Sequence, residues 1–269
     1  MINVTINGKL YEAEKGEFIL EVCRRNRILV PTLCNHESLA GLGSCRLCVV
    51  EVNEGRGNQV VVSCVYPLNR VCEVFTESEK IKNIRRTILS MLITRAPQGD
   101  RLASLCQIYG VAANERFTPP VTKKGTSSEK RLAEACVLCG LCAQACANLG
   151  AGAISTVSRG VAKKISTPFD EPSADCIGCG SCAAVCPTKA IACTENKSHR
   201  SIWGRKFTLL RCASCGSAFA TEEEYAYALK KLDTGSDIPA PGDVYCEICR
   251  RKKSADIFAL AFGIRPSKL

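Results

Sequence analysis

Sixteen of the twenty cysteines stand in four groups of four, and their spacing governs what this chain can fold around. Cys34, Cys45, Cys48 and Cys64 form the first group, and Cys136, Cys139, Cys142 and Cys146 the second. Cys176, Cys179, Cys182 and Cys186 repeat the second group forty residues on, and Cys212, Cys215, Cys246 and Cys249 form the last. Thiols two or three residues apart on short loops can wrap a metal core, and bound metal supplies folding free energy.

That energy matters here. The 269 residues suffice for two or three small domains, yet only 6% are aromatic and Trp is single. Small metal-nucleated modules therefore fit better than one large aromatic core. A disulfide scaffold is the rival use of so many cysteines, and it needs a secreted chain. The opening Met1-Ile2-Asn3-Val4-Thr5-Ile6-Asn7-Gly8 is the start of a strand and has no basic-then-apolar leader. No apolar run approaches a membrane span. A reducing cytoplasm with thiolate ligands is the expectation. The formal charge of +10 invites nucleic acid as a partner. Four tetrathiolate sites, each carrying about −2, would leave only about +2, so charge alone argues weakly for that.

The spacing and periodicity predict an α+β chain in four parts. Residues 1–78 alternate apolar and polar positions with glycine turns, beginning with a hairpin closed by Asn7-Gly8. A helix is expected from Phe18 to Arg24, and strands at Cys48–Val52, Gln59–Val65 and Val71–Phe75. Residues 79–131 form a helix and a bridge. Ser78 caps a helix running to Thr94, a short helix ends near Tyr109-Gly110, and Pro119-Pro120 with Lys123–Ser128 marks a linker. Residues 132–200 hold the duplicated cysteine run. Residues 201–269 carry the last four cysteines, a helix from Thr221 to Leu232 and a basic helix from Arg250 to Phe262.

Each group implies a particular chemistry. Cys34, Cys45, Cys48 and Cys64 suit a plant-type [2Fe–2S] centre, with three thiolates from one loop and a fourth from a distant segment. Gly41 and Gly43 let backbone amides approach the sulfides. The second and third groups both read Cys-x2-Cys-x2-Cys-x3-Cys, the run of bacterial ferredoxins that hold two [4Fe–4S] centres. In that run the fourth Cys serves the other centre. Cys136, Cys139, Cys142 and Cys186 are thus one ligand set, and Cys146, Cys176, Cys179 and Cys182 the other. Pro187 follows Cys186 in the usual way, whereas Ala147 stands where the second Pro belongs. Ile154, Ile177 and Ile191 are expected to shield these centres. Cys212, Cys215, Cys246 and Cys249 form two knuckles that suit tetrahedral zinc in a ribbon-like module, with a further [4Fe–4S] centre as the alternative. Cys23, Cys72, Cys106 and Cys193 sit in apolar patterns and are expected to be core thiols. His36 is either a neighbour of the first centre or a loop residue, and His199 is a surface residue.

The segments Ile28–His36, Cys45 to Cys48 and Cys64-x2-Pro67, with the helix starting Glu79-Lys80-Ile81, resemble the N-terminal iron–sulfur region of the complex I large iron–sulfur subunit. Similar regions begin [FeFe]-hydrogenases and NAD-linked formate dehydrogenases. The resemblance covers residues 1 to about 95 and 130–195, and implies a plant-type ferredoxin (β-grasp) domain followed by a two-[4Fe–4S] ferredoxin domain. That family usually carries, after the helix, a centre bound by one His and three Cys. Here Arg95–Pro120 contains only Cys106 and no His, so that centre is expected to be absent.

No dinucleotide fingerprint, phosphate loop or nucleophile–base pair is present, and no catalytic residue is assigned. The reading is an electron-transfer subunit with no active site of its own. It would relay electrons between a flavin- or NAD(P)-binding partner and a catalytic subunit: a formate dehydrogenase, a hydrogenase or a bifurcating enzyme. The alternative is a redox-sensing regulator that binds nucleic acid through the last module and Arg250, Arg251, Lys252 and Lys253.

Overall fold

The structure, a computed structural model, describes residues 1–112, 127–232 and 243–261. Pro119-Pro120, most of the expected linker, and Phe262 lie outside them. The chain divides into two compact units: Met1–Ser166 with Ser181–Ala192, and Thr167–Gly180 with Cys193–Leu269.

The first unit opens with β1 (Ile2–Ile6) and β2 (Lys9–Ala13), an antiparallel hairpin turned at Asn7-Gly8. Their alternation buries Val4, Ile6 and Ala13. α1 (Ile19–Arg25) lays Ile19, Val22 and Cys23 on the same core. The Glu21 carboxylate accepts from the Phe18 N–H at its start, and Arg24 and Arg25 stand at its negative end. β3 (Val49–Asn53), β4 (Asn58–Val62) and β5 (Cys72–Phe75) complete a five-stranded sheet of order β2-β1-β5-β3-β4. Only β1 and β5 run parallel in it.

α2 (Glu79–Arg95) begins where the Ser78 hydroxyl accepts from the Ile81 N–H, as the sequence predicts. α3 (Asp100–Tyr109) ends at left-handed Gly110 and packs on α2 through Leu89, Leu102 and Cys106. α4 (Ser127–Ala135) leads into the cysteine runs. α5 (Leu141–Leu149), the ribbon β6 (Ser155–Val157) and β7 (Lys164–Ser166), and the one-turn α6 (Ser181–Ala184) complete this unit, with α5 against α6.

The second unit is an antiparallel sheet of order β11-β10-β9-β8, formed by β8 (Cys193–Glu195), β9 (His199–Ile202), β10 (Arg205–Arg211) and β11 (Ala218–Thr221). Phe207 is wholly buried at its centre. A capping box of Thr221 and Glu224 starts α7 (Glu222–Lys231), and α8 (Glu247–Ala261) carries the basic run. Cys193 corrects one expectation. Cys23, Cys72 and Cys106 are buried, but Cys193 is exposed. The apolar run around it ends with Ala190 and Ile191 inside, and Cys193 lies on the edge strand β8, all of which faces outward.

Candidate metal centres

The loop between α1 and β3 carries Cys34, Cys45 and Cys48, and the turn after β4 supplies Cys64. All four are buried. Their sulfurs form one hydrogen-bonded set with backbone donors around it. The Cys45 N–H donates to Cys34 Sγ at 3.3 Å, and the Leu33 N–H to Cys45 Sγ at 3.4 Å. Hydrogen bonds from Cys45 and Cys64 push the Cys34 thiol down to about 2, and one from Cys64 pushes Cys48 down to about 6. The hydrogen bonds with Cys34 raise Cys45 and Cys64 in turn. Two of the thiols thus give up their protons more readily than the other two, and a cationic core in their midst would release the rest. The donor set fits a [2Fe–2S] centre.

A residue the cysteine pattern gives no hint of braces this loop. Arg85 of α2 has no exposed surface. Its Nε donates to Leu47 O at 3.1 Å and its Nη2 to Val49 O at 2.9 Å, on either side of Cys48. Its Nη1 reaches Glu77 at 2.7 Å and the Tyr109 hydroxyl at 3.0 Å.

Cys136, Cys139, Cys142 and Cys186 line one recess, walled by Leu132, Ile165 and Ile191. N–H groups already point at sulfur there: Leu138 to Cys136 at 3.4 Å and Ala190 to Cys186 at 3.3 Å. Burial pushes Cys136 up and Cys139 up to about 12, so these thiols ionise only against positive charge. Four convergent sulfurs around an apolar recess fit a [4Fe–4S] core.

The first two thiol groups abut. The Ser44 hydroxyl donates to Cys139 O at 3.2 Å. A Cβ on Gly140 would stand 2.9 Å from the Leu42 side chain, so the two loops meet as closely as glycine allows. Leu33, Cys34 and Cys45 share one buried cluster with Val137, Cys139 and Leu141.

Of the other expected set, Cys146 and Cys182 belong to the first unit and Cys176 and Cys179 to the second. Ile154 and Ile191 are buried and Ile177 is half-buried. His36 is half-buried, with Nδ1 accepting from the Ser38 N–H at 3.2 Å. His199 Nδ1 lies 2.8 Å from the Ser198 hydroxyl.

In the second unit the knuckle after β10 meets the start of α8. Cys212, Cys215, Cys246 and Cys249 have all four sulfurs within 4.8 Å of one another, with Cys215 and Cys246 3.8 Å apart. A tetrahedral ion with bonds of about 2.3 Å sets its sulfurs about 3.8 Å apart. Backbone N–H donation, first from Cys215, pushes Cys212 down to about 6, and the Ser217 hydroxyl lowers Cys215. The Ser214 hydroxyl pulls Cys249 down, but hydrogen bonds with Cys246 and Cys215 outweigh it and carry it up to about 12. The set fits a single ion.

Residues 1–79 match the model of a 2Fe-2S iron-sulfur cluster binding domain, and residues 173–192 that of a 4Fe-4S binding domain. The NADH-ubiquinone oxidoreductase 75 kDa subunit of Reclinomonas americana is 30% identical over 183 residues, covering 62% of this chain and 26% of that protein. NADP-reducing hydrogenase subunit HndD of Solidesulfovibrio fructosivorans is 33% identical over 188 residues, covering 63% of this chain and 32% of that one. The chain thus spans about a quarter to a third of the length of these relatives. A chain in the crystal structure of NAD+-reducing [NiFe]-hydrogenase in the H2-reduced state superimposes with a TM-score of 0.54 at 26% identity, covering 62% of this chain and 74% of that chain. This is therefore an iron–sulfur chain of mixed α and β structure, with a 2Fe-2S domain followed by a 4Fe-4S binding sequence, and it resembles subunits of NADH- and NADP-linked oxidoreductases and hydrogenases.

Proposed function

We propose that this chain is an electron-transfer subunit of a cytoplasmic oxidoreductase complex. It takes electrons from, or gives them to, a flavin- or NAD(P)-binding subunit, and exchanges them with a catalytic subunit such as a formate dehydrogenase, a hydrogenase or a bifurcating enzyme. The observation that carries this is the shared buried cluster of the first two thiol groups, joined by Ser44 and Cys139. Loops in direct contact keep two centres within tunnelling reach, and an apolar surround keeps water out.

In this reading Cys34, Cys45, Cys48 and Cys64 hold a [2Fe–2S] centre in a β-grasp domain of residues 1–78. The helices and bridge of residues 79–131 support it. Residues 132–200 form the ferredoxin domain, with Cys136, Cys139, Cys142 and Cys186 on one [4Fe–4S] centre and Cys146, Cys176, Cys179 and Cys182 on the other. When bound, these centres supply reversible one-electron storage. The chain's own residues position them, exclude water and set the field around them. Cys212, Cys215, Cys246 and Cys249 hold zinc in a ribbon-like module of residues 201–269. The short sulfur separations favour one ion over a cubane, whose thiolates sit on separate irons. Among the described residues no helix is long and apolar enough to cross a membrane. On α8, Arg251 pairs with Glu247 at 2.5 Å and Lys253 stacks on Tyr245 at 4.4 Å, which favours a protein-docking face over a phosphate-binding one.

Anaerobic reconstitution followed by metal analysis tests the assignment. About ten irons and one zinc per chain are expected, from one [2Fe–2S] and two [4Fe–4S] centres beside a single ion. An iron content near two would overturn it.

A further inference from the structure

The Cys176-x2-Cys179 turn is gripped by its carbonyls from the C-terminal sheet. Arg205 Nη1 donates to Ser173 O at 3.0 Å, Ala174 O at 2.9 Å and Cys176 O at 2.6 Å. Thr221 Oγ1 donates to Ile177 O at 2.5 Å. Arg200 Nη1 donates to Gly178 O at 3.0 Å and Cys179 O at 3.1 Å. The Phe207 ring closes the grip: a Cβ on Gly178 would lie 2.5 Å from it, and Arg205 stacks over it at 4.7 Å. Every carbonyl from Cys176 to Cys179 is thereby turned toward one side.

A trans peptide points its N–H opposite its C=O. The N–H groups of Ile177, Gly178, Cys179 and Gly180 therefore face away from the grip, and none donates to a backbone acceptor among the described residues. Adjacent N–H groups left without a carbonyl are costly unless something else accepts from them, and the sulfides of a cluster do so. Hydrogen bonds to cluster sulfur and nearby positive charge both favour the reduced, more negative state.

We propose that Arg205, Arg200 and Thr221 are positioning residues for the [4Fe–4S] centre bound through Cys176 and Cys179, aiming four N–H groups at it from a turn backed by two guanidinium charges, and raising its reduction potential. This rests on the ligand assignment under Proposed function. The step affected is uptake of one electron from the neighbouring centre, with no bond made or broken. Arg205 is the cleaner probe of the two. Arg200 is paired with Glu195 at 2.8 Å and approached by Glu224 at 3.8 Å, whereas the only acidic neighbour of Arg205 among the described residues is Glu223 at 3.9 Å.

The test is an anaerobic redox titration of the reconstituted full chain, followed by paramagnetic resonance, for wild type, Arg205→Gln and Arg205→Lys. Arg205→Gln should keep its iron and lower the potential of one [4Fe–4S] signal by about tenfold in the reduction equilibrium, about 59 mV for one electron. The [2Fe–2S] signal should not move. Arg205→Lys, which keeps the charge, should shift the same signal less. If Arg205→Gln loses the centre altogether, the lysine variant decides. Full iron with unmoved potentials in the variants overturns the proposal. A wild-type chain lacking the second set of four irons overturns the ligand assignment, and this inference with it.

Discussion

Replacing Arg85 by methionine should loosen the first thiol loop far more than a single helix substitution usually does. The side chain is wholly buried, and it holds Leu47 O and Val49 O, whose residues are 0% and 5% exposed. A buried carbonyl left without a donor costs about 1–3 kcal/mol, so the pair costs about 2–6 kcal/mol. The link to Glu77, a residue 47% exposed, adds less than about 1 kcal/mol after solvent screening. Burying the methionine side chain returns about 1–2 kcal/mol. The net is a loss of about 3 kcal/mol, falling on the strand entry next to Cys48. If the [2Fe–2S] centre is lost through opening of this loop, chelator-driven bleaching should quicken by about a hundredfold. The assay is the decay of visible absorbance under excess chelator, with wild type, Arg85→Lys and Arg85→Met side by side. Lysine keeps a charge but cannot span both carbonyls, Glu77 and Tyr109 together, and should fall between. Bleaching of Arg85→Met within twofold of wild type would refute the reasoning.

If Cys212, Cys215, Cys246 and Cys249 hold one zinc ion, Cys246→Ser should abolish zinc binding and leave the iron content unchanged, as metal analysis of the purified variant would show. Gly140→Ala adds a methyl 2.9 Å from Leu42 at a residue whose φ is +82, so it should cost about 1–3 kcal/mol and lower [4Fe–4S] occupancy. Adding Leu42→Ala should recover the steric share, read from iron content and thermal stability. Glu51 is held below its usual 4.5 by the Ser78 hydroxyl and by Lys80, against the opposing effect of burial. A lowered folded value means this stability is complete above about pH 4.5 and is lost as pH falls below that through the lowered value. Glu51→Gln should therefore be less stable than wild type at neutral pH, with the gap closing on acidification in denaturant titrations of the metal-free chain.

Features with a local cause are legible in the sequence. The Asn7-Gly8 turn, the Ser78 cap and the Gly110 stop fall where short-range chemistry puts them. Spacing names the thiol groups, because loop ligands are close in sequence. It does not reveal what holds the loops. Arg85 lies one turn from both Ile81 and Leu89, and these three are the buried residues of α2. A lone Arg on an apolar helix face is a legible sign of a buried polar bond, though not of its partners. Arg205 and Arg200 lie more than twenty residues from the carbonyls they bind, and strand alternation puts them on the same face as Phe207 without naming those partners. Cys193 escapes the sequence reading for a related reason: an apolar neighbourhood in sequence does not tell where a strand leaves the core.

The segment between the first two thiol groups works through packing. Arg95–Pro120 has one cysteine and no histidine, so it cannot supply a four-ligand site. Cys106 is buried, with Sγ 4.0 Å from Leu89 O, and packs with Leu102 in the cluster that also holds Cys34, Cys45 and Cys139. α2 and α3 therefore form an apolar wall common to both thiol groups. The two loops are joined directly by Ser44 and by Leu42 against Gly140. What the segment contributes is exclusion of water: a low dielectric on one side disfavours added charge, and the Arg85 brace keeps the ligand loop from moving when charge arrives.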